Sequence, residues 1–140
     1  MHQGSCHCGA VRYEVHGELG AYGCCHCRSC QKATGSAFSA NAPVDRERFV
    51  LLSGEDTLRE YASSPGMIRV FCSRCGSPIY AYRRTASDVV RIRLGSLDTP
   101  FDRPPSVHTF VGERAPWETV ANDAPHFEGR ADPSAIDRRD

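Results

Sequence analysis

No stretch of this 140-residue chain is apolar for long enough to cross a bilayer as a helix; its longest apolar runs are short segments such as Phe49-Val50-Leu51-Leu52. A net charge of either sign is also missing, since 17 Lys and Arg balance 17 Asp and Glu. With no long-range field to draw in phosphate backbones or anionic lipid, neither nucleic acid nor membrane is an expected partner. Met1-His2-Gln3-Gly4-Ser5 offers no basic start, apolar run or cleavage site of the secretory kind, so a soluble, cytoplasmic protein with reduced thiols is expected. Absent too are a Ser-His-Asp arrangement, a phosphate-binding glycine loop and a dinucleotide fingerprint.

What the chain does have is cysteine, eight in all and in three tight clusters. Cys6-His7-Cys8 opens the chain, Cys24-Cys25-His26-Cys27-Arg28-Ser29-Cys30 follows, and Cys72-Ser73-Arg74-Cys75 comes much later. Thiolates one or two residues apart converge on a small, soft cation, and tetrahedral zinc is the commonest that takes them. Disulfides are the alternative for an even cysteine count in a short chain, but bonds within such clusters close tiny loops and constrain little of the unfolded state. A structural zinc site is closed by four ligands from two knuckles distant in sequence, and Cys6 and Cys8 with Cys72 and Cys75 make such a pair. Cys25, Cys27 and Cys30 remain, with Cys24 as a further thiol. Adjacent side chains diverge along an extended backbone, so Cys24 and Cys25 are not expected to share an ion. Three protein ligands and an open fourth position mark a catalytic zinc.

The rest of the chain reads as mainly β with little helix. Apolar residues alternate at Val11, Tyr13 and Val15, at Ile68 and Val70, and at Val90, Ile92 and Leu94. Ile79 to Tyr82 and Val107 to Val111 are β-rich in composition, and Ser53-Gly54, Pro65-Gly66 and Val111-Gly112 punctuate the segments. The one clear helical turn runs from about Ser29 to Thr34, ended by Gly35 in a left-handed conformation, and puts Cys27 and Cys30 on one side. Arg103-Pro104-Pro105 reads as a loop. One domain over residues 1–128 is expected, followed by a polar tail, 129–140, that frays.

Gly4-Ser5-Cys6-His7-Cys8-Gly9-Ala10-Val11-Arg12-Tyr13, Cys25-His26-Cys27-Arg28-Ser29-Cys30-Gln31-Lys32-Ala33-Thr34-Gly35-Ser36 and Phe71-Cys72-Ser73-Arg74-Cys75-Gly76, in that order, resemble the glutathione-dependent formaldehyde-activating enzyme family. Gly95-Ser96-Leu97-Asp98, His108-Thr109-Phe110 and Ala115-Pro116-Trp117 fit as well, so the resemblance spans roughly residues 4 to 120. It implies a zinc-bearing β-tent of layered, twisted antiparallel sheets and two zinc ions per chain. Carried over by position, Cys6, Cys8, Cys72 and Cys75 match structural-zinc ligands, and Cys25, Cys27 and Cys30 match ligands of the catalytic zinc. The implied reaction is that of a carbon–sulfur lyase, with glutathione and formaldehyde joined as S-hydroxymethylglutathione. Cys24 has no ligand role in the family pattern and is expected to be buried.

Three thiolates on Zn²⁺ leave a net charge of about −1, so this zinc is expected to exchange readily. Arg28, Gln31 and Lys32 flank the cluster and either meet the carboxylates of glutathione or balance charge in place. His26 and His7 each sit between cysteines and are expected in solvent or supporting contacts rather than as ligands. His108 and Trp117 read as structural residues, Trp117 in a core, and Asp98 as a turn residue. The alternative function is a non-catalytic zinc scaffold for a protein or small molecule, which needs only the closed site. A nucleic-acid-binding zinc ribbon is disfavoured by the neutral charge. A homodimer has only its base rate in its favour.

Overall fold

The computed structural model describes residues 1–120 and 123–132. They form two compact units: residues 1–19 with 42–102, and residues 20–41 with 103 onward. Strands predominate in the first, while the second combines short strands with the helix Arg28–Thr34; among the described residues no helix is long and apolar enough to cross a membrane.

The first unit layers two sheets. Strands β1 (His2–Ser5), β2 (Arg12–Val15) and β5 (Phe49–Ser53) form a three-stranded antiparallel sheet in the order β1-β2-β5. β6 (Leu58–Ser64), β7 (Met67–Cys72), β8 (Pro78–Arg83) and β9 (Ala86–Arg93) follow as an antiparallel meander. The alternation in β7 is the expected one, with Ile68, Val70 and Cys72 buried. Tyr13 stacks on Phe49 at 5.0 Å between centroids, and Phe49 meets the Tyr80 ring edge-on at 5.0 Å, so aromatic side chains of β2, β5 and β8 fill the space between the layers. The buried Tyr13 hydroxyl is 2.6 Å from Ser96 Oγ, and burial pushes its pKa up to about 12.

The second unit holds β3 (Gly23–Cys25), helix α1 (Arg28–Thr34) and β10 (Val107–Thr109). β4 (Ser39–Asp45) is divided: its first three residues pair antiparallel with β3, Cys25 opposite Ser39, and belong to this unit. β10 joins the other side of β3 in parallel, an exception among antiparallel ladders that the long connection between them permits. The β-rich run at 107–111 stops as a strand at Thr109, because Phe110 takes φ 54° and starts a 3₁₀ turn over Val111–Glu113. Residues 125–129 run beside this segment: His108 N–H donates to Pro125 O, and Phe110 N–H to Gly129 O, each at 2.9 Å. Gly129, the first residue of the expected frayed tail, is therefore tied to the unit, and positions 133–140 of that tail lie outside the described residues. Trp117, expected in a core, is 70% exposed.

At Gly54 the fold of the first unit requires glycine twice over. Its φ is +87°, and a Cβ would lie 2.5 Å from Ala10 O and 2.7 Å from Val11 Cα, both backbone atoms that cannot swing aside. Gly54→Ala is expected to lower stability by about 2 kcal/mol or more, measured by urea denaturation.

Candidate functional site

Two groups of thiols come together, each within one unit. The sulfurs of Cys6, Cys8, Cys72 and Cys75 all lie within 4.8 Å of one another, and so do those of Cys25, Cys27 and Cys30. Both groupings are those expected from spacing.

The four-sulfur group is built from two tight turns. After β1, Cys6 N–H donates to Val11 O and Gly9 N–H to Cys6 O, with Gly9 at φ +77°; the Val11 N–H points at Cys6 Sγ, 3.2 Å away. After β7, Gly76 N–H donates to Cys72 O at 2.8 Å with φ +78°, and Cys72 N–H donates to Ser77 O. The turns are cross-linked by His7 N–H donating to Ser77 Oγ at 2.9 Å, and His7 is exposed. Cys6 and Cys8 sulfurs are 3.5 Å apart and Cys8 and Cys72 sulfurs 3.9 Å. Sulfurs about 2.3 Å from a common centre in a tetrahedron are about 3.8 Å apart, so these spacings suit a shared zinc. They exceed a disulfide bond of about 2.05 Å.

Ionisation is unequal within this group. The Ser77 hydroxyl and N–H hold the Cys75 thiol down at about 5, whereas Cys8, favoured by the Ala10 N–H but crowded by the Cys6 sulfur, is pushed up to about 11. Neighbouring thiols resist ionising together, and a divalent cation is what makes four thiolates mutually compatible.

The three-sulfur group is held by a strand end and a helix start. β3 delivers Cys25; the chain then turns, with His26 N–H donating to Thr109 O at 2.9 Å. Cys27 caps α1, its sulfur accepting from Cys30 N–H at 3.3 Å, and Gly35, at φ 65°, closes the helix as expected. Hydrogen bonding with Cys30 and burial push the Cys25 thiol far above its ordinary range, and burial also raises Cys27. Cys24, the opposite way up on β3, is buried, and its thiol is raised to about 11 by that burial.

Behind this group lies a polar network within the same unit. The buried Gln31 amide donates to His26 O at 2.7 Å and to Glu113 O at 2.9 Å, so one side chain joins the cysteine turn, α1 and the 3₁₀ turn after β10. Glu113 Oε1 accepts from Arg28 N–H at 3.2 Å, and the Arg28 guanidinium donates to Gln31 Oε1. Of the flanking residues, Gln31 and Arg28 are thus engaged in place, while Lys32 is exposed. His26 is buried, with Nε2 2.8 Å from His108 Nδ1; burial first, then His108 and other cations, lowers its pKa. Both histidines are buried, and of the two settings expected for His26, solvent or a supporting contact, it is not in solvent. Sequence reasoning missed Glu113, more than 80 positions from its partners in a polar turn with no periodic signal.

Fold and site together define a mainly β protein with two soft-metal donor sets, one of four sulfurs and one of three. The family model described as glutathione-dependent formaldehyde-activating enzyme matches residues 1–113. The chain belongs to that family. It is 31% identical over 125 residues, 84% of this chain and 80% of the other, to a Halomonas elongata protein provisionally named a glutathione-dependent formaldehyde-activating enzyme. It is 30% identical over 79 residues, 56% of each chain, to an uncharacterised lyase of Schizosaccharomyces pombe. A crystal structure of a Rhodobacter sphaeroides protein shares the fold, with a TM-score of 0.59 at 21% identity, covering 89% of this chain and 98% of the other.

The network makes Gln31 the residue whose loss reaches furthest from its own position. Gln31→Leu removes the donors to His26 O and Glu113 O, and is expected to cost about 1–3 kcal/mol in chemical denaturation.

Proposed function

We propose that the chain is a zinc-dependent carbon–sulfur lyase that joins glutathione and formaldehyde into S-hydroxymethylglutathione, or acts on a related thiol adduct. The observation that carries this reading is the three-sulfur set of Cys25, Cys27 and Cys30, drawn together on a turn and helix start. Cys6, Cys8, Cys72 and Cys75 would hold a structural zinc, and Cys25, Cys27 and Cys30 a second, catalytic one. A zinc with three protein ligands supplies a place where a substrate thiol is held as thiolate at neutral pH.

The reaction balances without a further reactant. Sulfur forms a bond to the carbonyl carbon, the C=O π pair moves to oxygen, and the proton given up by the thiol ends on that oxygen. The chain's part is to fix the three sulfurs. Cys30 N–H and the Gln31 amide keep the turn and α1 in place, and the half-buried setting of Cys25 and Cys27 limits water around the reacting sulfur. A cytoplasmic setting, where thiols stay reduced and glutathione is abundant, belongs to this reading.

Two measurements test it. Cys72→Ser is expected to remove one metal and much of the folding free energy, whereas Cys30→Ser should lose one metal from a domain that stays folded by circular dichroism; equal unfolding by both would overturn the division of roles. Magnetization-transfer NMR of glutathione, formaldehyde and their adduct should show faster exchange with the zinc-loaded wild type and not with Cys30→Ser. No acceleration by a protein carrying two zincs would sink this substrate pair and favour another thiol adduct or a binding scaffold.

A further inference from the structure

The meander of the first unit carries a row of side chains that the thiol chemistry does not use. Register places Tyr61 of β6 opposite Arg69 of β7, Arg69 opposite Ala81 of β8, and Ala81 opposite Arg91 of β9. Directly opposed residues share a face of a sheet, so Tyr61, Arg69, Ala81 and Arg91 form one line across four strands. Strands lie about 4.8 Å apart, which sets the backbones of Arg69 and Arg91 about 10 Å from each other with only the methyl group of Ala81 between them. Both guanidinium stems are long enough to bring their forks over that methyl.

The environment of Arg91 is unusual for an arginine. Its Nη1 is buried and has no hydrogen-bond partner among the described residues. Burial, and then the positive charge of Arg83, hold its pKa below the ordinary arginine value, so the charged group that most affects it repels it. A guanidinium stays protonated throughout the working range and carries donors in a planar fork, so a buried arm of that fork is satisfied by an acceptor with negative charge. Tyr61, at the end of the row, is 63% exposed.

We propose that the face of β7, β8 and β9 around Ala81 is a binding site for a small oxyanion, a carboxylate or phosphate group, held by Arg91 with Arg69 and Arg83 adding positive charge. The matching geometry is that of a two-oxygen acceptor meeting a guanidinium fork; Ala81 is itself only 2% exposed, so the anion would sit at the guanidinium forks rather than on the strand. The site lies wholly in the first unit and does not depend on the lyase reading.

The test uses the full-length, metal-loaded protein in low-chloride buffer, titrated separately with inorganic phosphate and with malonate, with sodium chloride at equal ionic strength as the reference. Binding is followed by calorimetry and by the arginine Nε–Hε resonances. Saturable binding of either anion that shifts the Arg91 resonance is expected; phosphate alone would identify a phosphate-bearing ligand and malonate alone a carboxylate. Arg91→Met should weaken binding by about tenfold or more, with Arg91→Lys, which keeps charge but loses the fork, in between. Arg83→Met gives a second variant whose affinity should also fall. A response no greater than that of chloride, or unchanged affinity in both Arg91→Met and Arg83→Met, would overturn the proposal.

Discussion

Thiols gathered this closely constrain everything around them. Within 4.8 Å of one another, and at 3.5 and 3.9 Å for Cys6–Cys8 and Cys8–Cys72, the sulfurs of the first group are too close to ionise freely, so their neighbours must hold them against mutual repulsion. The local backbone is organised to that end. Gly9 and Gly76 adopt left-handed conformations so that each turn can fold back on its cysteine, and Val11 N–H and the Ser77 hydroxyl aim donors at sulfur. The layered sheets serve the same purpose at longer range, since β1 and β7 deliver Cys6 and Cys72 from distant parts of the chain.

The two groups meet this constraint differently. The four-sulfur group lies between two glycine-assisted turns, a symmetrical arrangement in which backbone does most of the work. The three-sulfur group uses a strand end and a helix cap, and its support comes from side chains: Gln31, Glu113, Arg28 and the His26–His108 pair. Among the described residues the second group gathers three metal-ligating side chains where the first gathers four. That difference is what supports the proposal of different work for the two groups.

Features set by short-range chemistry were legible in the sequence. Cysteine spacing gave both groupings, Gly35 marked the end of α1, and alternation marked β2, β7 and β9. Segments whose structure depends on distant partners were not. β3 is three residues long and has no pattern of its own; it is a strand because β4 and β10 flank it. β6 carries mostly exposed residues and is defined by pairing with β7. The strand at 107–109 is shorter than its β-rich composition suggested, because Phe110 turns the chain, and Trp117 is exposed although tryptophan usually favours interiors. Glu113 belongs to the site only through contacts made across more than 80 positions.

Cys27 performs two tasks with one atom. Its sulfur caps α1 by accepting from Cys30 N–H, and it is also one of the three clustered thiols. Serine, aspartate and asparagine are better helix caps than cysteine, so a change to any of them would preserve or improve the helix while removing a soft donor. Selection for folding alone would therefore not retain cysteine at this position. A chain altered only at this position would keep its helix and lose one of three clustered sulfurs, so helix stability and the donor set can be separated at residue 27.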